Sequence, residues 1–293
     1  MSSKENISRL FGVAFTVCVA LLLGGGLRDY LIFAVGFGHY FTSAIYSDKQ
    51  YARVFSRAYA VPFVLLSLIG LVAWGMDFSL VYYFGLHHVF NELYLKATPA
   101  IRDAGVWRYR AACVVFHLCV YLLTLRDHVD VGALATAGQL AVLTFTSGAW
   151  LAFELWTGRK RLEAALLRSD AGFSVFALAA LLASYVLEIR FLDVVCYHFG
   201  FWLLFPVLKK PRPRGAFAGE YALLTCAATL PFVAMSPLLL PGISASREVF
   251  FAAFIFMSYF HITTACAVSS AHPEWIVRWF RSPLGSPALV SRT

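Results

Sequence analysis

The stretch VGFGHYFTSAIY, residues 35–46, sets His39 in the middle of an apolar, aromatic-rich run. Three more stretches repeat the device. They are YYFGLHHVFNELY (82–94) around His87 and His88, VVCYHFGFWLL (194–204) around His198, and FMSYFHITTACA (256–267) around His261. A strongly polar group at membrane depth is costly, so it marks a functional site by default. One buried histidine usually reads as a ring hydrogen-bonded to a neighbouring helix. Four in equivalent places point to a shared metal or cofactor site.

The sequence around these stretches decides the class. The chain of 293 residues is 60% hydrophobic and 14% charged, with a mean hydropathy of +0.72. Apolar runs of about 17–25 residues, each long enough to cross a bilayer as a helix, recur along almost all of it. The connections are short and carry most of the charge, which leaves no room for a soluble domain. The chain therefore reads as an all-α polytopic membrane protein, a single integral domain over residues 1–293, multi-pass in the cell (inner) membrane. Ten spans are expected at roughly 10–27, 29–47, 58–76, 78–96, 109–125, 131–157, 172–189, 190–208, 217–240 and 248–271. Tight turns at Gly24–Asp29, Gly75–Asp77 and Glu188–Arg190 suggest one helical hairpin used five times. The six cysteines all fall in apolar runs without C-x-x-C spacing and read as small buried hydrophobes. The first run has no small-residue cleavage site and reads as a retained span.

Charge supplies the orientation. With the N-terminus in the cytoplasm, 20 of the 24 Lys and Arg residues fall in inner segments, Arg9 and Arg110 among them. Only Arg28, Arg126, Arg190 and Arg247 fall in outer turns. This is the bias of the positive-inside rule, so both termini are expected in the cytoplasm. It also accounts for the net charge of +8 without a nucleic-acid partner, since the basic loops face anionic headgroups.

On this layout His39, His87/His88, His198 and His261 lie on spans two, four, eight and ten, all running from outside to inside. Counted from the outer turns, His39 is 11 residues past Arg28 and His88 is 11 past Asp77; His198 is 8 past Arg190 and His261 is 14 past Arg247. At about 1.5 Å per residue these depths agree to within about 9 Å. Span six runs the same way but offers Gln139, Thr144, Thr146 and Ser147 instead. His117, on a span of the opposite direction, reads as structural, and His128 and His272 read as interfacial.

Imidazole suits iron, copper and zinc, and no cysteine or aspartate is placed to compete. The expected metal ligands are His39, His88, His198 and His261. Adjacent helical residues differ by about 100° in direction, so His87 and His88 do not face one point. His88 is preferred because it shares a helix face with Glu92. Glu92 and Asp193, five residues before His198, are candidates to offset the metal's charge or orient an imidazole, with His87 and Asn91 beside them. Glu92 reads equally well as a helix-end charge on the cytoplasmic side. Phe37, Tyr40, Tyr83, Tyr197, Trp202 and Tyr259 crowd the same depth and suggest an apolar tunnel for a long, lipid-soluble substrate entering from the membrane. Gly36, Gly38, Gly85 and Gly200 allow close helix approach or leave space for such a molecule.

The layout resembles the Brp/Blh family of bacterial and archaeal membrane β-carotene 15,15′-dioxygenases. The resemblance rests on Gly36-Phe37-Gly38-His39, a second histidine about fifty residues on, and Tyr197-His198-Phe199-Gly200. It extends over most of the chain at the level of hydropathy. It implies a histidine-ligated non-haem iron, Fe(2+), and O2-dependent cleavage of a carotenoid. The chain departs from the family at Tyr40-Phe41-Thr42, where Gly and Asp usually follow the first histidine, and at Trp202, where a second late histidine is usual. His261 is the replacement that its depth offers.

Two other readings stay open. Opposed histidines on neighbouring helices can ligate haem, although no arginine stands at mid-depth to bind propionates. Repeated hairpins also suit a transporter whose histidines relay protons or carry a metal, although the spans hold few acidic groups.

Overall fold

A computed structural model describes residues 3–46, 78–93, 104–127, 136–158, 162, 164–209, 214–235 and 247–268. The third expected span (58–76), the Gly75–Asp77 turn, His128 and His272 lie outside the described residues. Among the described residues there are nine helices and no strand: α1 (Ser3–Leu22), α2 (Gly25–Tyr46), α3 (Phe78–Leu93), α4 (Ala104–Thr124), α5 (Ala137–Gly158), α6 (Ala164–Ala183), α7 (Phe191–Lys209), α8 (Arg214–Ala234) and α9 (Arg247–Val268). Seven of them, all but α2 and α3, are long and apolar enough to cross a bilayer. Phe145, Phe153 and Trp156 on α5, Val175 and Leu182 on α6, and Leu223 and Leu230 on α8 are largely exposed. An apolar perimeter this broad suits lipid and does not suit water. The make-up is that of an all-helical, multi-pass membrane protein.

Each of the nine helices overlaps one of the expected ranges, but the bounds differ, with α1 ending at Leu22 rather than 27 and α6 at Ala183 rather than 189. α1 begins at Ser3 rather than at residue 10, α4 at Ala104 rather than 109, and α6 at Ala164 rather than 172. An apolar run is cut at its first charge. Here those charges, Arg9, Arg110 and Asp170, are buried and paired inside the bundle, so the helices continue through them. The break between α1 and α2 falls at Leu23-Gly24, beside two further glycines, which are poor helix formers.

Two starts are set by side chains. The Thr136 backbone N–H donates to Gln139 Oε1 at 2.6 Å and the Gln139 N–H donates to Thr136 Oγ1 at 3.3 Å, a reciprocal capping box that opens α5. Gln139 is thus a capping residue. Thr144, Thr146 and Ser147 bond back to carbonyls of their own helix. At the start of α7, Asp193 Oδ2 accepts the Arg190 N–H at 2.8 Å.

Packing does not follow the hairpin order. α4 lies along α5, as expected of spans five and six. α1, however, packs chiefly on α7, and α2 on α8, α7 and α9; α3 sits between α4, α9 and α6. Tight turns dictate where chain ends meet, whereas close packing depends on which faces are small. A Cβ added at Gly200 would stand 3.0 Å from Gly12 Cα, and one at Gly12 would stand 2.9 Å from the Tyr197 carbonyl oxygen. This backbone approach fits α1 to α7 rather than to its sequence neighbour.

One core, with Phe33, Phe37, Phe84, Phe199, Phe254 and Ile255, joins α2, α3, α7 and α9. A second, with Val89, Leu93, Tyr109, Cys113, Leu166 and Phe173, joins α3, α4 and α6. The histidines lie where the first core meets α3.

Candidate functional site

α2, α3, α7 and α9 each turn their histidine into the bundle, and His39, His87, His88, His198 and His261 are all buried. Four of the rings form a closed loop. Centroids are 5.7 Å apart for His39 and His198, 5.3 Å for His198 and His87, 5.5 Å for His87 and His261, and 5.0 Å for His261 and His39. His88 stands beside this loop. Its ring meets Phe84, Phe173, Tyr197 and, at 5.6 Å, His198. The two Nδ1 atoms of His88 and His198 are 3.4 Å apart in a long hydrogen bond.

Aromatic side chains wall the loop. Tyr40 stacks on His261 at 4.8 Å and shares a hydrogen bond of 2.6 Å with the Ser258 hydroxyl. Phe199 leans on His39 at 5.3 Å, and Trp202 lies 6.5 Å from His39 and 6.3 Å from His198. Tyr83 stacks on Tyr259 at 5.4 Å and shares a hydrogen bond of 2.7 Å with Thr263. Phe37 belongs to the layer behind Tyr40, stacked on Phe232 at 4.1 Å.

The polar neighbours divide. Asn91 Nδ2 is 2.9 Å from His87 Nε2, one turn along α3. Glu92 is buried within the bundle, so it is not a helix-end charge on the surface. Its Oε2 accepts from Arg9 Nε at 3.0 Å and Nη2 at 2.8 Å, and its Oε1 accepts from the Tyr197 hydroxyl at 3.1 Å. The carboxylate therefore bonds Arg9 and Tyr197, which flanks both His88 and His198. Asp193 lies elsewhere than expected. It caps α7 and pairs with Arg28 at 3.4 Å, where α2 and α7 begin. Arg190 reaches Asp29 at 3.5 Å across the same junction.

Arg9 was placed by the sequence in a cytoplasmic segment, yet it is wholly buried, with Nη1 donating to Asn6 Oδ1 at 2.7 Å and the Ser169 carbonyl at 3.3 Å. Arg110 is buried likewise and pairs with Asp170 at 3.3 Å, while the Tyr109 hydroxyl donates to the same carboxylate at 3.0 Å. His117 takes the structural part expected of it. Its Nδ1 lies 2.7 Å from the Cys113 carbonyl and its Nε2 lies 2.9 Å from Ser174 Oγ. No local signal marks Arg9 as a partner of a residue 83 positions away; an Asn6/Arg9 pair on one helix face is the only hint.

Two imidazoles sharing an ion at about 2.1 Å per nitrogen stand with centroids roughly 4.5–6.5 Å apart. Each neighbouring pair in the loop falls within that range. Among the described residues the buried Nδ1 of His261 has no hydrogen-bond partner. As the side chains stand, no three His, Cys, Asp or Glu residues among those described are arranged to hold a metal ion. His88 and His198 share a hydrogen bond instead. No protein-family model, curated protein or solved structure matches the chain.

Proposed function

We propose that the protein is a membrane-embedded oxidoreductase, a histidine-ligated non-haem iron oxygenase acting with O2 on a long lipid-soluble substrate, carotenoid-like or a lipid alkene. The observation that carries this reading is the cluster of five buried imidazoles, drawn from four helices, with centroids 5.0–5.7 Å apart within the loop. Imidazole is a donor that suits iron. Bound iron would supply oxygen activation beside a substrate double bond.

The chain's own part is to position and to exclude water. His39, His198, His261 and the His87/His88 pair are the candidates to hold the ion. Asn91 fixes the His87 ring, as the partners of metal-bound histidines do. Tyr40, Tyr197 and Trp202 line the cluster, and Phe37, Tyr83 and Tyr259 extend the aromatic wall to which an apolar substrate would bind.

The proposed setting is the cell (inner) membrane, with ten spans joined as five hairpins and both termini cytoplasmic. With Arg9 and Arg110 drawn into the bundle, the charge bias still stands at eighteen to four. A haem between opposed histidines is less favoured, because a porphyrin needs an open slot and the four rings touch one another around the loop.

The test is elemental analysis and absorption spectroscopy of the purified protein. The expected result is near-stoichiometric iron without a Soret band, with iron and activity lost together in His39→Ala and His198→Ala. Activity in a metal-free preparation would sink the reading. A Soret band would point to haem, and metal or proton flux into liposomes would point to transport.

A further inference from the structure

The four rings of the loop are closed off on one side and touch half-buried residues on the other. α2, α7 and α9 begin at one end of the bundle, where Arg28 pairs with Asp193 at 3.4 Å, Arg190 with Asp29 at 3.5 Å, and Phe250 meets Tyr30 at 5.6 Å. α3 starts at the same end, with Phe84 edge-on to Phe191, the first residue of α7, at 5.5 Å. Between that end and the rings lies a layer of phenylalanine. Phe33, Phe37, Phe84, Phe199 and Phe254 are all buried, and Phe33 and Phe37 pack on Phe254 at 4.5 and 5.9 Å. Even the notch at Gly36, three residues before His39, is filled. A Cβ there would stand 2.6 Å from Phe254 and 2.9 Å from Phe199.

The other side differs in kind. Among the described residues, the side chains other than histidine that meet the four rings are Tyr40, Phe84, Phe199, Asn91 and Trp202. The first three are buried, whereas Asn91 and Trp202 are half-buried. Asn91 stands four residues after His87 and Trp202 four after His198. Each therefore lies one turn nearer the end where its helix finishes, α3 at Leu93 and α7 at Lys209. A half-exposed amide set against hydrocarbon would hold polar atoms away from any partner, so the surroundings that suit Asn91 are aqueous. Trp202 suits the same boundary, with an apolar ring and a polar N–H.

We infer that the histidine loop is a one-sided site, which takes a small water-borne reactant past Asn91 and Trp202 and is sealed by phenylalanine on the opposite side. With the proposed orientation the open side is cytoplasmic. Access of this kind does not depend on iron. It gives the exclusion of water a direction, because the phenylalanine layer bars the route from the end where Arg28 and Arg190 pair.

The test uses the unmutated full-length protein in lipid nanodiscs, with hydroxyl radicals generated from bulk water and peptide mass spectrometry to locate the oxidised side chains. Trp202 should be oxidised, while Phe84, Phe199 and Phe254 stay at background. Phe145, exposed on the apolar perimeter of α5, reports how well the bilayer shields a ring, and Trp202 should exceed it. Oxidation of the three phenylalanines would overturn the inference. So would a Trp202 oxidised no more than Phe145, which would place the indole against lipid.

Sidedness is read with a membrane-impermeant thiol reagent on Asn91→Cys and Phe84→Cys in sealed right-side-out vesicles, the label again located by mass spectrometry. Asn91→Cys should be labelled only once the vesicles are opened, and Phe84→Cys in neither state. Labelling of Asn91→Cys in sealed vesicles would overturn the cytoplasmic opening, and labelling of Phe84→Cys would overturn the seal. Iron content enters none of these measurements, so a protein that binds no iron would sink the iron reading and leave the one-sided opening standing.

Discussion

The guanidinium of Arg9 and the carboxylate of Glu92 meet at 2.8 Å, with side chains 0% and 3% exposed. Removing one partner leaves the other charge buried and uncompensated, which costs about 3–5 kcal/mol, whereas replacing both by apolar residues is close to neutral. Arg9→Met should lower stability by that amount, and Arg9→Met with Glu92→Leu should recover most of it. Thermal unfolding in detergent checks this. A double variant as unstable as the single one would show that the loss comes from packing.

Asn91 acts on the ring rather than on the fold. Asn91→Leu should leave the unfolding midpoint nearly unchanged and weaken Fe2+ binding by about 10–100-fold, because the His87 ring loses its orienting partner. Equal affinities in the two proteins would limit the amide to packing.

His117 supplies the contrast. Both its nitrogens are engaged, by the Cys113 carbonyl and the Ser174 hydroxyl, and it stacks on Phe173 at 4.5 Å. His117→Phe should cost about 1–3 kcal/mol, through the buried polar groups it leaves unpaired. Iron content per folded chain should stay unchanged, which elemental analysis reads directly.

Gly200 should be intolerant of even one methyl group. Gly200→Ala places a Cβ 3.0 Å from the backbone of α1 and should cost about 1–3 kcal/mol by overpacking. Gly219→Ala on α8, where no described residue lies within 4 Å of the added Cβ, is the matched control and should be neutral to slightly stabilising. A comparison of their thermal midpoints distinguishes steric conflict from a general effect of losing glycine.

The helices and the shared level of the histidines were legible in the sequence for one reason. Apolar length translates into helix, and residues counted from a helix start translate into level along the bundle. His198 and His261, 8 and 14 residues past their turns, both touch His39 within that tolerance. Two things were not legible. Helix partnership was hidden because a turn such as Leu23-Gly24 joins α1 to α2 without making them pack, while Gly12 and Gly200 lie far apart in sequence. The polar interior was hidden because Arg9, Glu92 and Asp170 resemble loop or helix-end charges until their partners are known.

The reach of Arg9 has a consequence for biosynthesis. Its partners Glu92 and the Ser169 carbonyl lie 83 and 160 residues downstream, so they leave the ribosome long after α1 does. Until they arrive, an arginine on a membrane helix keeps its charge at the headgroup level by extending along its alkyl stem. The resting place of α1 beside α7 is therefore a late step of assembly. α1 is seated only after the helices that carry Glu92, Ser169 and Gly200 have been made.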